Sequence, residues 1–315
     1  MPLVSVIVPF YNPGKELLRT IESILCQSHR NIEIICVNDG SNDDSTDIFR
    51  DITDDRVRLI CNNRTKGQSG ASNCGVLMAT GQYVKFVDAD DVLNERHIEF
   101  CLNALSQFAK SPQGTVGLVS HTLEDSKGEV VEKHLVARPS LHTCSEVFWS
   151  LMTNHEMLAA WKWFIPIGLF REHGLTWDET LTRNKDFVFS SSLLAKANGV
   201  VSVCDAIYRY TITPQSEGKA VSDTALKSLI RAHFLGVKAW ASTDLEPAFD
   251  FRLRKIQQYV YSYDEALANA LDDSIKRNKR FVLLDPNGHR WLARIIGWRG
   301  VKRLGRFKRK FFSRR

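Results

Sequence analysis

The chain opens with an apolar, β-branched run, Val4-Ser5-Val6-Ile7-Val8, that stops at Pro9. An unbroken run of this length closed by a turn residue predicts a strand covered on both faces. Leu17, Ile21, Ile24 and Leu25 then recur at helical spacing after Pro13-Gly14, so a helix follows. The alternation repeats. Ile32 to Val37 predicts a second strand, closed by the turn sequence Asn38-Asp39-Gly40-Ser41. Asp43 and Asp44 open a helix through Phe49, where their charge suits its N-terminus. Val57 to Cys61 predicts a third strand, Ser69 to Met78 a helix ended by Thr80-Gly81, and Tyr83 to Val87 a fourth strand. This rhythm predicts βαβ units and an α/β fold with a mostly parallel, Rossmann-like sheet and helices on both faces.

Beyond residue 115 the pattern loosens. Thr115 to Val119 and Glu129 to Val136 predict strands joined by a hairpin turn at Asp125-Ser126-Lys127-Gly128. Cys144 to Met152 and Phe187 to Ala197 predict helices, the second closed by Asn198-Gly199. Val200 to Cys204 and Ile207 to Tyr210 predict two short strands, and Ser222 to Lys279 reads as helical with a break at Pro247. A boundary is expected near residue 215, which divides the chain into 1–215, a helical region 216–289 and a tail 290–315.

Composition narrows the class. Hydrophobic residues are 43%, charged residues 25% and aromatics 10%, which excludes a disordered or collagenous chain and supplies a core. No apolar run approaches the roughly 18 residues of a membrane span, and Met1 to Asn12 lacks the basic start of a signal peptide. Seven scattered cysteines without a CxxC pair read as buried free thiols in a reducing cytoplasm. They argue against zinc, as do nine histidines without ligand spacing. The net charge of +6 divides sharply: residues 290–315 hold 11 Lys and Arg and no acid, and the other 289 residues carry −5. An acidic body with a basic tail implies an anionic partner for the tail.

The candidate chemistry lies at the strand ends. Asn12, Asn38, Asp39, Asp88, Asp90 and Asp91 collect four carboxylates and two amides there, on the rim where open parallel sheets bind ligands. Asp and Asn commonly start turns after strands, but three carboxylates in four residues repel one another unless a cation intervenes. Oxygen donors without His or Cys favour Mg²⁺ or Mn²⁺, which complete their shells with substrate phosphates.

Val4 to Asn12, Val37-Asn38-Asp39-Gly40-Ser41, Ala71-Ser72-Asn73-Cys74-Gly75 and Phe86-Val87-Asp88-Ala89-Asp90-Asp91 together resemble inverting glycosyltransferase family 2, of the GT-A fold. The resemblance covers residues 1 to about 215. It implies a nucleotide-sugar donor, expected to be a UDP-sugar, with Mn²⁺ or Mg²⁺ and inversion at the anomeric carbon. By the same resemblance Pro9 belongs to the donor-binding site, and Tyr11 and Asp39 hold the nucleobase, Tyr11 by stacking and Asp39 by accepting an N–H. Asp88 sits near the ribose, and the Asp88-Ala89-Asp90 motif binds the metal, with Asp90 a ligand of the ion that bridges the phosphates. Asn73 faces the nucleotide or is a surface polar group. Gly67 and Gly70 let the backbone approach the donor, and Asp91 caps the next helix.

The family usually carries a Glu-Asp pair before an aromatic-rich helix, its Asp deprotonating the acceptor. Here the matching stretch is Asn184-Lys185-Asp186-Phe187, so Asp186 is the expected base, with helix N-capping as its ordinary reading. Lys185 replaces the usual Glu, and Ser72 replaces a common Arg. These departures keep open an alternative, a catalytically inactive GT-A domain that binds glycan or nucleotide. Trp161, Trp163 and Trp177 are candidates for a sugar-stacking platform as well as for the core.

In the tail, Val301, Leu304, Phe307 and Phe311 share one side of a helical wheel, with Lys302, Arg303, Arg306, Arg309 and Lys310 mostly opposite. This pattern suits a helix on an anionic membrane surface, while nucleic acid is disfavoured because the body has no matching motif. The expected partners are thus a nucleotide-sugar donor, a lipid-linked glycan acceptor and the inner face of the cell membrane. The resemblance points to surface polysaccharide or lipopolysaccharide synthesis.

Overall fold

The computed structural model describes residues 1–136, 138–153, 158–212 and 223–239. All belong to one compact unit, Met1–Ala241. The expected boundary near 215 and the tail 290–315 lie outside the described residues, and the expected helical region is described only at 223–239.

The first half follows the predicted alternation closely: β1 (Val4–Phe10), α1 (Glu16–Leu25), β2 (Ile32–Asn38), β3 (Val57–Cys61), α2 (Gln68–Met78) and β4 (Tyr83–Phe86). The segment after Asp43 is a short 3₁₀ helix, Asp44–Arg50, rather than an α-helix. Asp43 caps it, accepting from Ser45 N–H at 3.2 Å. β5 (Val92–Leu93) and α3 (His97–Phe108) follow, then β6 (Thr115–Glu124), β7 (Val130–His134), β8 (Leu141–His142), α4 (Cys144–Thr153), β9 (Trp163–Pro166), α5 (Gly168–Arg171), α6 (Lys185–Lys196), β10 (Gly199–Thr211) and α7 (Asp223–Lys238). The expected hairpin joins β6 to β7, with Asp125 Oδ1 accepting from the Lys127 and Glu129 N–H groups at 2.9 Å.

The sheet runs β3-β2-β1-β4-β9-β6-β10-β5, with β7 beside β6 and β8 beside β10. β3, β2, β1 and β4 are mutually parallel, as are β6 and β10. β9 is an antiparallel insertion between β4 and β6 that the alternation does not announce.

Strand parity divides the core between two faces. Val4, Val6, Val8 and Phe10 pack with Leu17, Ile21 and Ile24 of α1 and with Ile98, Cys101 and Leu105 of α3. Ile7 and Val37 point the other way, toward α2. A Cβ at Gly75 would run into the Ile7 side chain, so the glycine of the Ala71–Gly75 motif is required by the closeness of helix to sheet. On that side Phe86 meets Trp177 and Phe189 edge-on, at 4.6 and 6.1 Å between centroids.

The two short strands predicted at 200–210 are one strand, β10, with an irregularity between Val203 and Ile207. Val203 pairs with Val119 and Ile207 with Ser120, so Cys204, Asp205 and Ala206 are extra residues on one strand. An odd insertion flips the outward and inward sides. Val201 and Val203 face the core before it, and Ala206 and Tyr208 after it. Ser120 Oγ donates to the Cys204 carbonyl at 2.9 Å and satisfies the bulge.

All seven cysteines are free. Cys36, Cys74 and Cys101 are buried as expected, whereas Cys26 and Cys61 are exposed. Among the described residues no helix is long and apolar enough to cross a membrane.

Candidate active site

Phe10 lies opposite Asn38 and Ile7 opposite Phe86 in the parallel register, so the carboxyl ends of β1, β2 and β4 share one edge. The pairing continues just past them: the Asp39 N–H donates to the Phe10 carbonyl at 2.9 Å, and Val87 N–H to the Ile7 carbonyl at 3.0 Å. The motifs after the three strands therefore converge. Pro9 is still buried strand, and Tyr11, 49% exposed, is the first side chain to emerge. The Lys66 ammonium lies 4.6 Å from its ring centroid. Asn12, in the left-handed region at φ 51°, exchanges amide hydrogen bonds with Asn42 at 2.7 and 2.8 Å, tying the loops after β1 and β2.

Asp39 is buried and accepts from Asn62 Nδ2 at 2.6 Å and from the Gly67 N–H at 2.7 Å. Each oxygen thus takes one donor. An ionised carboxylate offers about four lone-pair sites, so acceptor capacity is left for an incoming N–H.

Asp88 and Asp90 are half-buried with Ala89 buried between them. Asp88 Oδ1 accepts from Gln68 Nε2 at 2.9 Å. The Arg19 guanidinium donates to the Asp90 carbonyl at 2.7 Å and to Thr211 Oγ1 at 3.0 Å. Asp91 does not cap a helix, because β5 follows it and α3 starts only at His97. It is fully buried instead, accepting from the Tyr208 hydroxyl at 2.6 Å and the Thr211 N–H at 2.8 Å. Burial, then the Asp88 and Asp90 charges, push its carboxyl well above the ordinary range. Burial also raises Asp90, against the pull of Arg19. Crowded carboxylates that resist ionisation are stabilised by a cation. The oxygen-only donors of Asp88 and Asp90 fit a hard divalent ion. Among the described residues no three His, Cys, Asp or Glu side chains could hold one alone, so such an ion would draw its remaining ligands from water or phosphate.

The sequence reading missed Glu179. It lies between β3 and α2 partners that are remote in the chain: Arg64 Nε at 2.5 Å, the Thr65 N–H at 3.3 Å and Asn73 Nδ2 at 2.8 Å. Burial opposes its charge, but the Asn73 amide, the Thr65 side chain and the Arg64 guanidinium outweigh it and hold the carboxyl at about 2. Such a group is an anchor, not a base near neutral pH. Its only local signal is the Trp177-Asp178-Glu179 string.

Asn73 is buried rather than a surface polar group. Its Nδ2 reaches Glu179 and the Trp177 carbonyl, and its Oδ1 accepts from Thr176 Oγ1 at 2.9 Å and the Trp177 N–H at 3.0 Å. The amide therefore ties α2 to residues 176–179. Of the two glycines, Gly70 differs from the expectation. A Cβ on Gly70 would run into the Thr65 carbonyl, so its bareness admits the 62–67 loop and not a ligand, while Gly67 adopts φ +124° with open space around it.

Asp186 lies in the first turn of α6, while the cap position is Asn184, at φ 53°. The N-capping reading therefore fails, and a carboxylate two residues into a helix is favoured by its dipole instead. Phe189, one turn later, packs against Phe86 at the end of β4. That contact brings the start of α6 beside the strand leading to Asp88. Of the two readings of the tryptophans the core one holds: Trp161, Trp163 and Trp177 are at most 4% exposed. Trp177 stacks on Phe189 at 3.6 Å, Trp161 on Tyr208 at 4.3 Å, and Trp163 Nε1 donates to Ser190 Oγ at 2.8 Å.

Residues 5–125 match the family Glycosyl transferase family 2. The chain is 46% identical over 91 residues (29% of this chain, 36% of the relative) to the Escherichia coli UDP-Glc:alpha-D-GlcNAc-diphosphoundecaprenol beta-1,3-glucosyltransferase WfaP. It is 32% identical over 222 residues to the uncharacterized glycosyltransferase EpsJ of Bacillus subtilis, covering 69% of this chain and 63% of that one. The chain thus spans between about a third and two thirds of the length of these relatives. In fold it is similar to S. aureus TarS 1–349 in complex with UDP-GlcNAc, with a TM-score of 0.64, 19% identity, and coverage of 84% of this chain and 74% of that one. With the strand-end motifs converged on one rim of a GT-A sheet, residues 5–125 belong to glycosyl transferase family 2.

Proposed function

We propose that this chain is a metal-dependent, inverting glycosyltransferase that moves a sugar from a UDP-sugar to a hydroxyl of a lipid-linked glycan. The observation that carries this reading is the convergence of Tyr11, Asp39, Asp88 and Asp90 on one rim, with Asp186 on the helix packed beside it. Two relationships support the substrates. TarS is solved with UDP and with UDP-GlcNAc, and WfaP is named for a diphosphoundecaprenol-linked acceptor.

In this reading Tyr11 offers an exposed ring face to the nucleobase, and Asp39 accepts a base N–H with the lone pairs that Asn62 and Gly67 leave. Asp88 and Asp90 hold a Mn²⁺ or Mg²⁺ ion, which when bound offsets the charge that develops on the departing diphosphate. Asp186 takes the acceptor proton as the new glycosidic bond forms. In a single displacement, with oxocarbenium-like charge on the sugar, that base stands opposite the leaving group. Lys185, beside it, supplies positive charge that suits an acidic or phosphate-bearing acceptor. The basic tail holds the enzyme at the anionic inner face of the membrane, where such acceptors reside.

The test is calorimetric titration of UDP with and without Mn²⁺, followed by transfer from UDP-glucose and UDP-GlcNAc to a diphospholipid-linked GlcNAc. Manganese-dependent binding together with a β-linked product is expected. Nucleotide binding with no transfer to any acceptor would favour the inactive binding module instead.

A further inference from the structure

The loop Asp88–Asp91 is held from below by the end of β10. The Tyr208 hydroxyl stands at the junction: it accepts from the Asp88 backbone N–H at 3.0 Å and donates to Asp91 Oδ2 at 2.6 Å. Three residues on, the Thr211 N–H donates to Asp91 Oδ1 at 2.8 Å, and Thr211 Oγ1 accepts from the same Arg19 guanidinium that holds the Asp90 carbonyl. One strand thus fixes both ends of the motif by hydrogen bonds that leave the Asp90 side chain alone.

Tyr208 is itself immobilised. It is fully buried, Trp161 stacks on its ring at 4.3 Å and 7°, and the Lys85 ammonium lies 5.2 Å from its centroid. Lys85 in turn donates to the Trp161 carbonyl. The bulge at 204–206 turns Tyr208 toward the loop, since without an odd insertion this position would face the opposite side of the sheet. A buried hydroxyl placed by a bulge, with a donor and an acceptor both in the metal-binding motif, is more than packing requires, because phenylalanine would fill the same space.

We propose that Tyr208 is a positioning residue for the Asp88–Asp90 pair, its hydroxyl setting the loop geometry in which those carboxylates take a divalent cation and a nucleoside diphosphate. The inference rests on the metal-dependent reading above. Groups that orient metal-binding residues without touching the ion typically change metal affinity or activity by ~10–100-fold when removed.

The experiment compares wild type with Tyr208→Phe, Ile32→Ala and Asp90→Asn. For each, the manganese activation constant, the binding of UDP with Mn²⁺ by calorimetry, and Tm are measured. Tyr208→Phe keeps the ring and should raise the manganese constant about ten-fold with a cooperative melt. Ile32→Ala opens the core at the amino end of β2, opposite Val4 and away from the strand-end rim, so it should lower Tm and leave the manganese constant near wild type. Asp90→Asn should abolish the manganese response. If Tyr208→Phe lowers Tm alone, or if Ile32→Ala moves the manganese constant equally, the hydroxyl has only a packing role and the proposal is overturned. Manganese dependence unchanged in Asp90→Asn as well rejects the metal-dependent reading, and the proposal with it.

Discussion

Glu179 accepts a hydrogen bond from the Asn73 amide at 2.8 Å, across 106 residues of sequence. The same carboxylate holds Arg64 and the Thr65 N–H, while Asp39 holds Asn62 and Gly67 at the two ends of that loop. Two carboxylates on different segments thus frame residues 62–67, whose Lys66 lies over Tyr11. The rim is therefore a braced surface on which both the loop and α2 have one position.

Glu179→Gln tests that bracing. The loss of a charged acceptor for three donors should cost about 2 kcal/mol at neutral pH and raise the donor KM roughly ten-fold through misplacement of the loop. The acid titration gives an independent check. A carboxyl held at about 2 when folded and near 4.5 when unfolded stabilises fully above 4.5, and that stability is lost as pH falls toward 2. The gap in stability between wild type and Glu179→Gln should close across that window. A gap that stays constant there would show that the charge contributes nothing.

Asp186→Asn should keep UDP affinity and lower kcat by about 10²–10⁴-fold, the usual range for a lost general base. Pre-steady-state transfer with saturating donor measures this. Near wild-type turnover would place the base on another residue. Lys185→Glu is expected to retain activity on a neutral acceptor and to weaken the KM for a phosphate-bearing one.

Lys85 predicts an alkaline effect on stability. Burial pushes its amine down to about 7 from 10.5. Between those values the unfolded chain binds more protons than the folded one, so its contribution to stability rises with pH there and is lost as pH falls toward 7. Lys85→Met removes this dependence. Relative to wild type, the variant should gain roughly 3–4 kcal/mol on going from pH 10 to pH 7, close to one proton over that span at about 1.4 kcal/mol per pH unit, which is on the order of 10 °C in Tm for a domain of this size. A difference that does not vary with pH, read by calorimetry in matched buffers, would mean the amine titrates in the folded protein as it does in the unfolded chain.

The tail prediction concerns residues outside the described structure. Each Lys or Arg near an anionic leaflet contributes about 1 kcal/mol, and 290–315 carries 11 of them against a body of −5. Full-length protein should co-sediment with vesicles containing phosphatidylglycerol, more weakly at high salt, and a chain ending at His289 should not. Equal sedimentation would remove the tail as the anchor.

Apolar runs and helical spacing located the elements of the first ninety residues to within a residue or two. β3 is found at Val57–Cys61 as expected, and β1, β2 and β4 differ at one end by a residue or two. The physical reason is that buried parallel strands are apolar throughout and amphipathic helices repeat every 3.6 residues, so both patterns are local. The strand-end motifs were legible for the same reason, since a βαβ rhythm places every carboxyl end on one edge. Tertiary structure decided what depends on partners far along the chain. The three-residue bulge in β10 reverses which side of the sheet Tyr208 faces, and no composition or period announces it. Asn73 and Asp91 looked like ligand-facing and capping residues. Each became a brace because its hydrogen-bonding groups, once buried, had to find partners, and those partners, Glu179 and Tyr208, are brought beside them only when the sheet closes across β9 and β10.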